Sequence, residues 1–178
     1  MPRRGVRRGT GFQGSGWPCP AVAAVTMTGS GAASENRVWG FDFVPEVAQE
    51  ARSLVERDGL DATVEARDVF TLDRDYPGFF DGVWEYTCFC AIDPGRRPEY
   101  VRLLRRILKR GGWLLACFFP LRAGGGGPPF PMSEAEVRGL LTPAFTLVDA
   151  YTPVTSAPGR QGLEWLVLAR LDEGTPEA

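Results

Sequence analysis

Three acids stand at the ends of short apolar runs in a 178-residue chain that contains no histidine: Asp42, Asp68 and Glu85. In open α/β sheets, ligands bind beyond the carboxyl ends of the strands. An acid after the second strand of such a unit commonly takes both hydroxyls of a ribose through a bidentate pair of hydrogen bonds. An acid after the next strand is placed to accept from an exocyclic amine such as that of adenine. Asp42 and Asp68 lie 26 residues apart, and this spacing suggests an adenosine-containing ligand. Solvated strand ends remain the plain alternative. The missing histidines exclude Ser-His-Asp triads, Cys-His pairs and histidine-ligated metals. Cys19, Cys88, Cys90 and Cys117 fall in no zinc spacing, so no metal site is expected, and Cys88 and Cys90 read as two small buried hydrophobes.

The elements that position these acids follow from periodicity and punctuation. Residues 37–42 form a short apolar run closed by Asp42. Pro45 opens a helix with Glu46 and Glu50 in its first turns and Val47, Ala51, Leu54 and Val55 as its stripe, ended by Gly59. Residues 63–67 form a second strand, closed by Asp68, and residues 80–87 a third, carrying Glu85 and Tyr86. A second helix starts at Pro98, with Tyr100, Leu103, Leu104, Ile107 and Leu108 on one face. Arg105, Arg106, Lys109 and Arg110 load its last turns, and Gly111-Gly112 stops it. Residues 113–119 read as a strand buried on both faces. Ser133 and Glu136 make a capping box for a helix over 133–141, and strands over 145–151 and 163–168 close the chain as a hairpin. Alternating strands and helices imply an α/β fold with right-handed crossovers and a mostly parallel sheet.

Composition narrows the functional classes. The net charge of −2 is too near neutral for a general nucleic-acid binder, and no run approaches a membrane span. The basic residues are 19 Arg and a single Lys, Lys109, a skew that reads first as codon usage. Acids are absent before Glu35, so the first 34 residues carry +4 and the remainder −6. A faint signal-like run over 19–33 is interrupted by Pro20, Gly29 and Gly31. Without a disulfide framework, a reducing cytoplasm is the expected compartment.

The segment Phe80-Asp-Gly-Val-Trp-Glu-Tyr-Thr-Cys-Phe-Cys-Ala-Ile-Asp-Pro-Gly-Arg-Arg97 resembles the fourth-strand region of the thiopurine/thiol/halide S-methyltransferases. The resemblance continues through Leu108-Lys-Arg-Gly-Gly112, the run ending at Pro120, Gly126-Gly-Pro-Pro-Phe130 and Arg160-x-Gly-x-Glu164, covering residues 38–170. It implies a Rossmann-like class I S-adenosylmethionine-dependent methyltransferase with a C-terminal antiparallel hairpin. The implied cofactor is S-adenosylmethionine, contacted by Asp42, Phe43, Asp68, Val69 and Glu85. The implied catalytic residues are Glu85, Tyr86 and Arg97, with Glu85 replacing the more usual Asp. Gly127, Pro128, Pro129 and Phe130 match a loop that closes over the acceptor. The acceptor implied is a small soft nucleophile: a thiol, a thiopurine or a halide. The electrophile then arrives with the cofactor, and a soft acceptor needs little general-base help, so a chain without histidine suits this chemistry. A monomer acting on a small molecule, with no nucleic-acid or membrane partner, is expected.

The N-terminal side departs from this pattern. The one candidate cofactor turn, Thr28-Gly-Ser-Gly-Ala32, leaves about one helical turn before Arg37, whereas a parallel crossover needs around ten residues or more. Residues 1–36 are therefore expected to be an unstructured or non-native segment, with the first strand and glycine-rich turn missing or replaced. The methyltransferase-like domain is expected over 37–172 and a tail over 173–178. The alternative function is a catalytically inactive remnant or a binding module.

Overall fold

A computed structural model describes residues 21–28 and 35–174. In chain order the elements are β1 (Ala21–Thr28), β2 (Glu35–Asp42), α1 (Pro45–Asp58), β3 (Ala62–Ala66), a 3-10 helix (Val69–Arg74), β4 (Phe80–Tyr86), a short 3-10 turn (Pro94–Arg96), α2 (Arg97–Ile107), β5 (Leu108–Phe118), α3 (Glu134–Leu141), β6 (Phe145–Tyr151) and β7 (Trp165–Leu171). The seven strands form one sheet in the order β3-β2-β1-β4-β5-β7-β6. β2 pairs in parallel with β3, and β4 with β5, while β1 and β7 run antiparallel to both of their neighbours. β2 through β6 thus share one direction, and the closing pair β6–β7 is the antiparallel hairpin that the sequence implies.

The local reasons are those read from the sequence. Pro45 sits in the first turn of α1, and Gly59 ends it in the left-handed conformation at φ 62°. Ser133 caps α3 by accepting from the Glu136 N–H at 3.1 Å. The crossovers β2-α1-β3 and β4-α2-β5 move outward in opposite directions from the sheet centre, so right-handed connections put α1 and α2 on opposite faces. Under α2 and α3, Val83, Leu114, Ala116, Val167 and Ala169 are fully buried with Tyr100, Ile107 and Val137. On the opposite face Trp84 and Leu115, paired across β4 and β5, are exposed.

Four expectations need correction. A strand, β1, takes an interior place in the sheet within residues 1–36, where the first strand was expected to be missing or replaced, and β2 begins at Glu35 rather than 37. β1 lies between β2 and β4 but in the reverse direction. The six residues between them are too few for a parallel crossover, so the two consecutive strands pair antiparallel. Residues 1–20 and 29–34, with Trp17, Cys19 and the Gly29-Ser-Gly31 turn, lie outside the described residues, as do 175–178 of the expected tail.

The second helix stops at Ile107, and Leu108 to Gly112 open β5 instead. Leu108 pairs with Phe80, and the Gly78 and Phe79 N–H groups bond the carbonyls of Arg106 and Ile107. Gly111, at φ 68°, bends the strand start where a side chain would be strained. Lys109 therefore reaches across to Asp81 at 2.9 Å rather than closing a helix. Finally, β7 begins at Trp165 instead of 163, because Leu163 and Glu164 belong to the turn that follows Arg160.

Candidate functional site

The ends of β2 and β3 are tied together by the Arg67 N–H, which donates to the Asp42 carbonyl at 2.7 Å. This brings the two strand-end acids to the mouth of one cavity of about 550 Å³. Asp42 is only 4% exposed; its Oδ1 accepts from the Val44 N–H at 2.8 Å, and its buried Oδ2 has no hydrogen-bond partner. Burial raises its pKa above the ordinary 3.8, against the opposing effect of the Val44 hydrogen bond. Asp68 uses Oδ1 to cap the 3-10 helix, accepting from the Phe70 N–H at 3.0 Å. Phe43 and Val69 line the same cavity, so four of the five cofactor residues expected from the sequence converge there.

Sequence reasoning missed the rest of the lining. Phe70, Cys88, Ala91, Ile92, Asp93 and Arg96 close the cavity from the 3-10 helix and from the turn after β4. The Arg96 guanidinium carbon stands 3.6 Å over the Phe70 ring and is held by a two-point pair with Glu99 at 2.9 and 3.2 Å. Nothing in the local period marks these residues, since they sit in turns whose placement depends on the sheet. Cys88 is buried, as read, but one of its neighbours is the cavity.

A buried carboxylate with an unsatisfied oxygen fits a pair of ribose hydroxyls, and Asp68 beside Phe70 and Ile92 fits an adenine edge. The cavity therefore suits the adenosine portion of S-adenosylmethionine.

Glu85 and Tyr86 stand at the neighbouring edge, outside that lining. Glu85 is 1% exposed, and its Oε1 accepts from the Phe89 N–H at 2.7 Å, so the carboxylate pins the turn after β4. Thr87 follows at φ 70°, strained for a β-branched residue. Tyr86 projects into solvent, where an Arg160 Nη1–H donates to its hydroxyl. The Arg160 guanidinium lies 5.0 Å from the Tyr86 ring centre and 4.1 Å from that of Phe119. Arg160 Nε also stands 3.1 Å from Glu164 Oε1. Behind them the buried Cys117 thiol has its pKa pushed up to about 12, by burial first and by Glu164 second. Arg160 and Glu164 belong to the late Arg-x-Gly-x-Glu motif, but their placement against Tyr86 was not foreseen.

Arg97 lies behind the loop that the resemblance puts over the acceptor. It is 1% exposed and is spent inside the protein. Its Nη1 donates to the Pro131 carbonyl at 3.2 Å and to Glu136 at 2.6 Å, and its Nη2 to the Phe130 carbonyl at 3.2 Å. The nearby Glu99 pairs with Arg96 and not with Arg97. The segment Gly127 to Phe130 is anchored by the Phe130 N–H, which donates to the Cys90 carbonyl at 2.7 Å. Pro128 and Pro129 lie within it, and none of the four lines the cavity.

Among the described residues no helix is long and apolar enough to cross a membrane. A family model for thiopurine S-methyltransferase matches residues 32–167. A probable thiol methyltransferase 2 from Arabidopsis thaliana is 35% identical over 88 residues, 49% of this chain and 39% of that protein. Thiopurine S-methyltransferase of Equus caballus is 36% identical over 73 residues, 40% of this chain and 30% of that protein. The chain therefore spans about two fifths or less of these relatives. Among solved structures, an S-adenosylmethionine-dependent methyltransferase of Methanosarcina mazei superposes with a TM-score of 0.65 at 18% identity, covering 76% of this chain and 82% of that one. The 1,6-didemethyltoxoflavin-N1-methyltransferase of Burkholderia thailandensis, with bound S-adenosylhomocysteine, gives a TM-score of 0.57 at 25% identity over 74% of this chain and 60% of that one. With the strand order of a class I methyltransferase sheet and a family match spanning most of its length, the chain belongs to the thiopurine S-methyltransferase family.

Proposed function

We propose that the chain binds S-adenosylmethionine and directs its methyl group to a small soft nucleophile, a thiol before a halide or a thiopurine. The observation that carries this reading is the buried, unsatisfied Asp42 Oδ2 at the mouth of a cavity that also presents Asp68. When bound, the cofactor supplies an electrophilic methyl group, which leaves the protein with binding and positioning. Asp42 accepts from the ribose hydroxyls, and Asp68 accepts from the adenine amine. Phe41, Phe70 and Ile92 exclude water from the base. Glu85 holds the β4 turn through Phe89, and this fixes where Tyr86 stands. The Arg160 N–H fills one lone pair of the Tyr86 hydroxyl, so the single hydrogen of that hydroxyl is left to point toward an acceptor. Arg97 positions the 127–130 loop from behind. We place this activity in a cytoplasmic monomer.

The second reading is a module that binds the nucleoside without transferring a methyl group; the reversed direction of β1 favours it. Titration calorimetry with S-adenosylhomocysteine tests binding, with micromolar affinity expected; no heat and no thermal shift at millimolar ligand ends the first reading. Transfer of labelled methyl from S-adenosylmethionine to a small thiol then separates enzyme from module.

A further inference from the structure

The turn after β4 meets three parts of the candidate site. Glu85 and Tyr86 end the strand, and Cys88, Ala91 and Ile92 line the nucleoside cavity. The Cys90 carbonyl accepts from the Phe130 N–H at 2.7 Å, which ties the 127–130 loop to the same turn. Thr87 sits where the strand passes into this turn. At φ 70° it is the one residue other than glycine with a positive φ among the described residues.

A branched Cβ makes this conformation costly, whereas glycine adopts it freely. The Thr87 side chain supplies something that glycine lacks. Its hydroxyl donates to the Tyr86 carbonyl at 2.5 Å, and the Cys90 Sγ–H donates to the Thr87 carbonyl at 3.1 Å. The two peptide units that flank the Thr87 Cα are thus each held at their carbonyl. The Tyr86 ring is exposed, and Arg160 reaches its hydroxyl from 74 residues further along the chain. The aim of that ring therefore depends on the backbone at its root.

We infer that Thr87 is a positioning residue, whose left-handed backbone and hydroxyl together aim Tyr86 at the acceptor edge. This rests on the methyl-transfer reading given above, in which the Tyr86 hydroxyl points toward an acceptor, and deepens it. The cavity side of the turn has bonds of its own. There the Ala91 N–H donates to the Cys88 carbonyl at 2.9 Å, and the Phe89 N–H donates to Glu85 at 2.7 Å. Changes at Thr87 therefore reach the acceptor before they reach the nucleoside.

The test replaces tyrosine by 3-fluorotyrosine throughout the full chain and reads the fluorine spectrum. The chain has four tyrosines, and Tyr86→Phe identifies the signal of Tyr86. In Thr87→Gly this signal should move more than halfway toward that of free 3-fluorotyrosine, with no fall in melting temperature. Thr87→Ser keeps the hydroxyl and should leave the signal in place. In methyl transfer to a small thiol, Thr87→Gly should raise the acceptor KM by about fivefold or more, and Thr87→Ser should restore it. The Kd of Thr87→Gly for S-adenosylhomocysteine should stay within about twofold of the unsubstituted chain. A Tyr86 signal unmoved in Thr87→Gly overturns the inference while the methyl-transfer reading stands. A loss of S-adenosylhomocysteine affinity as large as the rise in KM also overturns it, as does a lowered melting temperature with all four signals displaced. Absence of transfer by the unsubstituted chain ends the methyl-transfer reading, and the Tyr86 signal still decides the role of Thr87.

Discussion

The guanidinium of Arg97 meets the carboxylate of Glu136 at 2.6 Å across 39 residues of chain, joining the first turn of α2 to the first turn of α3. Two further bonds from the same guanidinium go to the carbonyls of Phe130 and Pro131. The Phe89 ring stacks against it at 4.9 Å. One buried side chain thus fixes the loop over 127–131 relative to the β4 turn.

Removing this cation leaves two carbonyls without their donor and an acid without its partner. Arg97→Ala is expected to cost about 3 kcal/mol of stability, read from urea unfolding. The loop should become the first site of limited proteolysis. Arg97→Lys should recover less than half, because an ammonium cannot serve three divergent acceptors in the plane of a guanidinium. Unchanged stability together with lost acceptor binding would return Arg97 to the acceptor site.

Asp42 links affinity to pH in a direction opposite to its effect on stability. Burial raises its folded pKa, so the folded state holds the proton more tightly than the unfolded chain does. Its contribution to stability is therefore fully present below the ordinary 3.8 and is lost as pH rises through the raised folded value. Ribose hydroxyls prefer the ionised carboxylate, so S-adenosylhomocysteine should bind more weakly as pH falls through that same range. In the Asp42→Asn variant the affinity at neutral pH should drop by about 1–3 kcal/mol and this pH dependence should vanish. A pH profile that survives the substitution assigns the titration elsewhere.

What the sequence made legible was whatever local chemistry decides. Pro45 and Gly59 bound α1, and Ser133 caps α3, because caps act over three or four residues. Asp42 and Asp68 were visible because strand ends are marked by a change from apolar to acidic. The end of α2 was misread because Leu108 suits either a helix stripe or a strand, and only pairing with Phe80 decides. β1 was missed because Ala21–Thr28 has no alternation to mark it, and its place depends on the gap between β2 and β4. The partners of Arg97 are illegible for a similar reason: they come from residues more than 30 positions away, beyond the reach of any local pattern.

Gly82 is a packing requirement. A Cβ built there would lie 1.9 Å from an indole carbon of Trp113, its partner on β5. Gly82→Ala is therefore expected to destabilise by about 1–3 kcal/mol, with a changed near-ultraviolet tryptophan signal. A Cβ at Gly40, also in the sheet, would meet Val64 at an ordinary 3.6 Å. Gly40→Ala should leave stability within about 0.5 kcal/mol, measured by the same urea series. Equal losses at both positions would mean that strand flexibility, not the Trp113 contact, sets the cost.

The two sides of the Arg160–Glu164 ion pair can be separated. Glu164 is 6% exposed, and Arg160 is held between the Tyr86 and Phe119 rings. Removing only the cation strands a carboxylate in a site that also holds the protonated Cys117 thiol. Arg160→Met should therefore cost about 3 kcal/mol, while the double change Arg160→Met with Glu164→Leu should recover most of it, since no uncompensated charge then remains. The double variant keeps the fold but removes the donor that orients the Tyr86 hydroxyl. Unfolding in urea reads the first effect. Acceptor affinity in the S-adenosylhomocysteine complex reads the second, and it should stay low in both variants. If acceptor affinity returned with stability in the double variant, Arg160 would be a structural residue with no part in orienting Tyr86.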